Sequence, residues 1–365
     1  MLFYAILIAM ALILFRASLR VRGTSGVYPI PFALFVLLLS IVGGMRDLTV
    51  GTDLGGYGTH FFENAADYTS WNDIVEETKG EYFYHAMNVV CQAVSSDIHF
   101  LFFVQEFIKI LLVGLTAVYF RKQTYALLFV FFYLMFFYAE GLSCLRQTLA
   151  MSIIIFGMRY FYEERWLKYI LCVAIAYMFH SSALFAVVPM GILFLYKLRI
   201  PMAFQIAILI LVFVFSWKIM ELLTVYTIFV EGKAEAYMAK GGIPFPKTST
   251  LLVAFFFVCS LLFRKYVPAK GEEEKKWSYL YVCSCLYCGF LIVMSQMFEV
   301  AFRISWYFMP VIILQFLGYT KRIKKKQLNL MLRTAFVALL ILHFIIALDH
   351  DGAGVVPYTS SILGI

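Results

Sequence analysis

A chain of 365 residues that is 63% hydrophobic and 14% charged is not a soluble globular protein, in which roughly 25% of residues are charged. Lipid must solvate much of its surface. The formal charge of +8 sits in short turns between apolar segments rather than on one basic face, which excludes nucleic acid as the partner.

Residues 1–15 are apolar from the start, with no basic stretch ahead of them and Arg16, Arg20 and Arg22 behind. That order predicts a first spanning helix with its N-terminus outside, not a cleavable signal. Counting apolar runs of roughly 20 residues gives further spans at 28–45, 98–120, 123–139, 142–160, 200–220, 249–264, 277–297, 301–319 and 329–348. The run 167–198 is too long for one helix and is interrupted by Phe179, His180, Ser181 and Ser182. It reads as two, 167–180 and 182–198, and the whole as an all-α polytopic membrane protein of about twelve transmembrane helices.

Charge supports the split. With an outside N-terminus, 21 of the 30 basic residues fall on the cytoplasmic side, including the KRIKKK run at 321–326, but only Glu163, Glu164, Glu272, Glu273 and Glu274 of the acids. A single span over 167–198 would invert everything beyond it and put KRIKKK in the wrong compartment. The run itself reads as a topology anchor or an anionic-lipid contact. Cys283, Cys285 and Cys288 lie in an apolar stretch without a second ligand pair, and read as packing groups rather than a metal site.

Two outer segments are long. The first, 46–97, mixes acids with aromatics, and Trp71–Val90 is expected to lie as an amphipathic helix on the outer interface. The second, 221–248, carries Gly241, Gly242, Pro244 and Pro246, which read as a lid or turn. The chain 1–365 is otherwise expected to form one integral membrane domain, since neither loop is large enough for a soluble catalytic domain.

Among the basic residues left outside, Arg46, Arg146 and Arg303 each stand at or just within the outer end of a predicted helix. An intramembrane cation lines a cavity, pairs with an acid or binds something, and the planar arginine fork suits phosphate oxygens. Arg46 has Asp47 and Asp53 as alternative partners; Arg303 has Glu299 four positions back, the spacing of an intrahelical ion pair. His180, at the split between two helices, is either a helix-end polar group or a proton carrier; an unperturbed imidazole, with a pKa of about 6.5, serves as acid or base near neutrality. Asp53, after Gly51 and Thr52, either caps a short helix or contacts substrate. Tyr57 either stacks on a sugar ring or anchors the interface, and Gln147 bonds either a sugar hydroxyl or a neighbouring helix. No nucleotide loop, dinucleotide fingerprint, HExxH or serine elbow is present, so energy must come from the substrate or an ion gradient. A lipid-linked phosphate or pyrophosphate at the outer face fits that requirement.

RDLTVGTDLGGY at 46–57, LRQTLAMSIIIFGMRYF at 145–161, IAYMFHSSAL at 175–184, FRISWYFMPVI at 302–312 and the tail around VVPY at 355–358 together resemble the EpsG family, in order and over nearly the whole chain. Its members are Wzy-type polymerases of exopolysaccharide, capsule or O-antigen. The resemblance implies a GT-C-like glycosyltransferase bundle of the bacterial inner membrane that joins undecaprenyl-pyrophosphate-linked repeat units at the periplasmic face; the span count and charge bias put both termini outside. It places Arg46, Gly51, Thr52, Asp53 and Tyr57 in a first motif, Arg146 and Gln147 in a second, His180 in a third, Arg303 and Tyr307 in a fourth, and Pro357 and Tyr358 in the tail.

The expected mechanism has Arg146 and Arg303, helped by Arg46, holding the pyrophosphate leaving group. The base is His180 or Asp53, then Glu299, with Glu140 behind it; the anomeric carbon inverts, and neither metal nor cofactor is needed. Thr52, Tyr57, Glu140, Gln147, Tyr307 and Tyr358 are the expected substrate contacts. A chain-length regulator and a flippase are the expected protein partners. A lipid-linked glycan transporter, or an O-antigen-type ligase acting on another acceptor, is the alternative reading. The only clear helix break, at His180, stands near the outer surface rather than the midplane, against transport.

Overall fold

The computed structural model describes residues 1–19, 28–68, 70–78, 80–216, 218, 242–244 and 246–365, with Gly56, Tyr57, Glu77 and Thr78 described by backbone alone. Every regular element among them is helical. That is the solution lipid enforces, since a helix satisfies its own N–H and C=O groups where no water can. The protein is a polytopic helical membrane protein, and its chain forms two compact units, 1–184 with 340–365, and 185–339.

The first unit contains α1 (Leu2–Ser18), α2 (Pro29–Gly44), α3 (Thr59–Asn64), α4 (Trp71–Thr78), α5 (Tyr82–Val94), α6 (Ile98–Tyr119), α7 (Ala126–Tyr133), α8 (Ala139–Ser143), α9 (Leu145–Tyr162) and α10 (Trp166–Phe179). α6 packs on both α2 and α9, and α10 packs on α9 and α5. Asp97 starts α6 by accepting from the His99 backbone N–H at 3.0 Å, the usual service of an N-cap carboxylate. Glycine lets α2 close on α6: a Cβ at Gly44 would stand 2.7 Å from the Phe103 Cα. One wide turn over 134–138 carries α7 into α8, and the helix then stops. Cys144, at φ −76° and ψ 65°, is not helical, and α9 begins afresh at Leu145.

The second unit contains α11 (Val188–Lys197), α12 (Met202–Val214), α13 (Lys247–Tyr266), α14 (Glu272–Met294), α15 (Glu299–Ser305) and α16 (Met309–Arg322), with α14 packed on α11, α13, α15 and α16. Aromatic rings fill its core; Phe316 meets Phe256 at 5.2 Å and Phe336 at 5.1 Å between centroids. The last helix, α17 (Lys326–His350), begins in this unit and ends in the first.

Two features differ from the sequence reading. Helices form at all twelve expected spans, but among the described residues only six are long and apolar enough to cross a membrane. The 16 residues of α2 and 14 of α10 rise about 1.5 Å each, short of a hydrocarbon core of roughly 30 Å. Pro29 and the Gly43–Gly44 pair bound the one, and the extended backbone of His180 ends the other. The amphipathic stretch from Trp71 to Val90 is two helices rather than one, because Gly80 (φ 145°) and Glu81 (φ 56°) turn the chain between α4 and α5. Most of the loop 221–248, Gly241 included, lies outside the described residues, and the expected lid with it. At its end Ile243 donates to the Ser295 carbonyl at 2.9 Å.

Candidate functional site

The local design of the first unit follows from the break at Cys144. In a continuous helix the carbonyls of Gly141 and Leu142 would accept from N–H groups four residues on. The break removes those donors, and unsatisfied carbonyls are costly in an apolar interior. Two buried cations replace them. Lys109 Nζ donates to Gly141 O at 2.9 Å and Arg46 Nη2 to Leu142 O at 2.9 Å. Arg46 also bonds the Val50 and Gly43 carbonyls, and its guanidinium lies 4.6 Å from the Phe102 ring centroid. Glu106, on the same face of α6, pairs with Lys109 at 2.6 Å, both side chains 1% exposed.

The first-loop motif closes over the same break. Gly51 sits at φ 121°, and a Cβ there would stand 2.7 Å from Leu142 O; only glycine combines that backbone with that approach. Thr52 Oγ1 and Ser143 Oγ are 2.7 Å apart. The C-terminal tail ties the loop from the other side, with Gly51 N donating to Gly354 O at 2.7 Å and Thr52 N to Ala353 O at 3.0 Å. Tyr358 donates to Val42 O at 2.6 Å and stacks on Phe3 with centroids 4.2 Å apart; burial pushes its hydroxyl up to about 12.

Arg146 and Gln147 stand just past the break, in the first turn of α9. Gln147 is buried. The Arg146 guanidinium packs over the rings of Phe61 and Tyr84, 5.4 and 5.8 Å from their centroids, within cation–π range, and its Nη1 bonds Glu81 Oε2. The other carboxylate oxygen, Glu81 Oε1, accepts from His180 Nδ1 at 2.8 Å and from the Ser181 backbone N–H at 3.3 Å. Glu81 is 3% exposed, His180 16% and Arg146 18%. One nearly buried carboxylate therefore bridges an arginine and a histidine that both keep an edge at the surface. A guanidinium can hold an anion, and a histidine that donates to a carboxylate through Nδ1 carries its lone pair on Nε2.

The structure thus brings Arg146 and His180 onto one partner that sequence reasoning missed. Glu81 lies 65 residues from Arg146 and 99 from His180, and the only local signal was the Gly80–Glu81 pair ahead of an aromatic run. Lys109 and Glu106 were missed likewise. Asp53, partly exposed, precedes the turn Leu54–Gly58 but makes no side-chain cap there. Tyr57 follows it, with its side chain outside the described residues. Glu140, partly buried, gives its backbone carbonyl to Cys144 N at 2.8 Å. Glu299, Arg303 and Tyr307 belong to the second unit: Arg303 Nη2 bonds Glu299 Oε1 at 3.0 Å across one helical turn, and Tyr307 is fully buried. Among the described residues no group of three or more His, Cys, Asp or Glu is disposed to hold a metal ion, and all seven cysteines are buried thiols.

A family model described as the EpsG family matches residues 30–360. No curated protein and no solved structure matches the chain.

Proposed function

The chain belongs to the EpsG family of Wzy-type polysaccharide polymerases, and from that membership we propose that it polymerises undecaprenyl-pyrophosphate-linked repeat units at the outer face of the bacterial inner membrane. The observation that supports the reading is that Arg146 and His180 both bond one buried carboxylate, Glu81.

In this reading Arg146 grips the diphosphate of the donor lipid through its planar fork. The hydroxyl of the acceptor repeat unit attacks the anomeric carbon from the face opposite the diphosphate. A new carbon–oxygen bond forms, the old one breaks, its electron pair leaves on the diphosphate held by Arg146, and the hydroxyl proton passes to His180 Nε2. The configuration inverts, and the activated donor supplies the energy without a nucleotide. Asp53 is the second candidate base. Thr52, Tyr57, Glu140, Gln147 and Tyr358 are candidate contacts for the glycan or lipid. Arg46 acts through the chain around it, holding the break from which Arg146 projects. Glu299, Arg303 and Tyr307 are further candidates in the second unit. The topology proposed is twelve crossings with both termini outside and the basic turns in the cytoplasm. A chain-length regulator and a flippase are the proposed partners.

The test uses the purified protein in liposomes with one defined undecaprenyl-diphosphate repeat unit and no nucleotide, with products resolved by length. Wild type should give a ladder of repeat multiples, and Arg146→Ala should lose about a hundredfold or more in rate, the scale set by removing one preorganised charge stabiliser. A folded wild type that yields no ladder from its cognate substrate would redirect the function to transfer onto another acceptor or to movement of the intact lipid.

A further inference from the structure

Glu81 is held in an unusual way. Its backbone occupies the left-handed region at φ 56°, directly after Gly80 at φ 145°, a conformation that costs a side-chain-bearing residue and recurs where function over-determines it. Its carboxylate is almost completely withdrawn from solvent, yet divides its two oxygens between Arg146 and His180. Desolvating a carboxylate is expensive unless charge and hydrogen bonds compensate, and here Arg146, His180 Nδ1 and the Ser181 N–H supply both.

We propose that Glu81 is the positioning residue of the transfer reaction: it fixes His180 with Nε2 as the basic nitrogen, and it holds Arg146 in reserve until the donor's diphosphate takes its place. This rests on the polymerase reading and adds a coupling between donor binding and base strength. While Arg146 is bonded to Glu81, the guanidinium neutralises the carboxylate. When Arg146 turns its fork to the diphosphate, the charge of Glu81 acts more strongly on His180 and favours the imidazolium that forms as the acceptor hydroxyl loses its proton.

The proposal separates binding from turnover. The probe for binding is undecaprenyl diphosphate itself, titrated into wild type, Glu81→Gln and Arg146→Ala in lipid nanodiscs, each variant first shown to elute as a single species. Glu81→Gln should bind the probe several-fold more tightly than wild type, because Arg146 no longer gives up an ion pair to reach it, while Arg146→Ala should bind at least tenfold more weakly. In the polymerisation assay Glu81→Gln should lower kcat at least tenfold with no rise in KM for the donor, and Glu81→Asp should recover part of that loss. In a His180→Gln background, Glu81→Gln should cost no further kcat, since residues acting as one unit are not additive. Glu81→Gln binding as weakly as Arg146→Ala, turning over at the wild-type rate, or losing kcat equally with and without His180 would each overturn the assignment. Should wild type bind the probe and yet make no polymer, the polymerase reading fails alone, and the binding order across the three proteins still decides the exchange of Arg146 between Glu81 and diphosphate.

Discussion

Gly51 shows how much a single position can carry. Its φ of 121°, and the mere 2.7 Å that would separate an added Cβ from Leu142 O, mean that Gly51→Ala must both strain the backbone and push the loop off the helix break. A cost of about 1–3 kcal/mol is expected from the strain, read as a lowered midpoint of thermal unfolding in detergent, together with a fall in polymerisation as Arg146 loses its support. Asp47, nearby, ties the tail to the loop: its carboxylate accepts from Ser361 N at 2.7 Å. That N–H, and then the Thr359 hydroxyl, hold its carboxyl below the usual range. A depressed folded-state pKa gives stability that is present above the unfolded value of about 3.9 and is lost as pH falls through the folded one. Protease access to residues 355–365 should therefore rise on acidification below about pH 4, and Asp47→Asn should raise it at neutral pH and remove the pH dependence. The residue scale is also where the sequence was partly legible. Arg46, Arg146, His180 and Arg303 stand out as ionisable groups near helix ends, but what the first three bond does not. Arg46 reaches a carbonyl 96 residues away, and no local pattern announces that, whereas the Arg303–Glu299 pair is set by helical spacing alone.

At the scale of elements, the decisive feature is a helix that stops inside an apolar bundle. α8 ends at Ser143 and α9 begins at Leu145, and the carbonyls exposed by that break are bonded from α6 and the first loop. The Glu106–Lys109 pair on α6 is then a consequence: Lys109 is needed at Gly141 O, and a lone buried ammonium needs a counter-charge. Lys109→Met alone should destabilise the protein by about 3–5 kcal/mol, the cost of stranding a buried charge, whereas adding Glu106→Gln should recover part of it. Unfolding in detergent by wild type, both single variants and the double variant forms the cycle that measures this; additive losses would mean that the two side chains do not work as a pair. Hydropathy showed where the apolar segments lie, and the break at His180 was legible because four consecutive residues interrupt a run too long for one helix. The break at Cys144 is not where the sequence puts a turn: apolar spans at 123–139 and 142–160 set the boundary at residues 140 and 141 and place Cys144 inside a helix, since nothing in its residues says that the carbonyls before it are capped from elsewhere. The division of the outer segment at Gly80 and Glu81 was missed because amphipathic periodicity continues across it, and two positive φ angles leave no hydrophobic signature.

For the whole molecule, charge distribution says what helix length does not. Among the described residues six helices are of spanning length, and the shorter ones leave the number of crossings to be fixed by where the loops lie. The proposed topology, which rests on the positive-inside bias, has the turn carrying Lys321, Arg322, Lys324, Lys325 and Lys326 in the cytoplasm and the tail beyond Asp351 outside. The assignment is open to cysteine labelling with little background, because all seven native thiols are buried. Ser361 and Lys324 have exposed side chains, so each accepts a substitution without disturbing the core. In intact cells stripped of any outer layer, Ser361→Cys should react with a membrane-impermeant maleimide, while Lys324→Cys should react only after permeabilisation. The opposite pattern would invert the bundle and put Arg146 and His180 on the side where nucleotide-sugar donors are made, removing the reason for a lipid-linked donor. Equal labelling of both positions before permeabilisation would mean an odd number of crossings is missing between residues 324 and 361, and α17, 25 residues long, is the element that would have to fail to span.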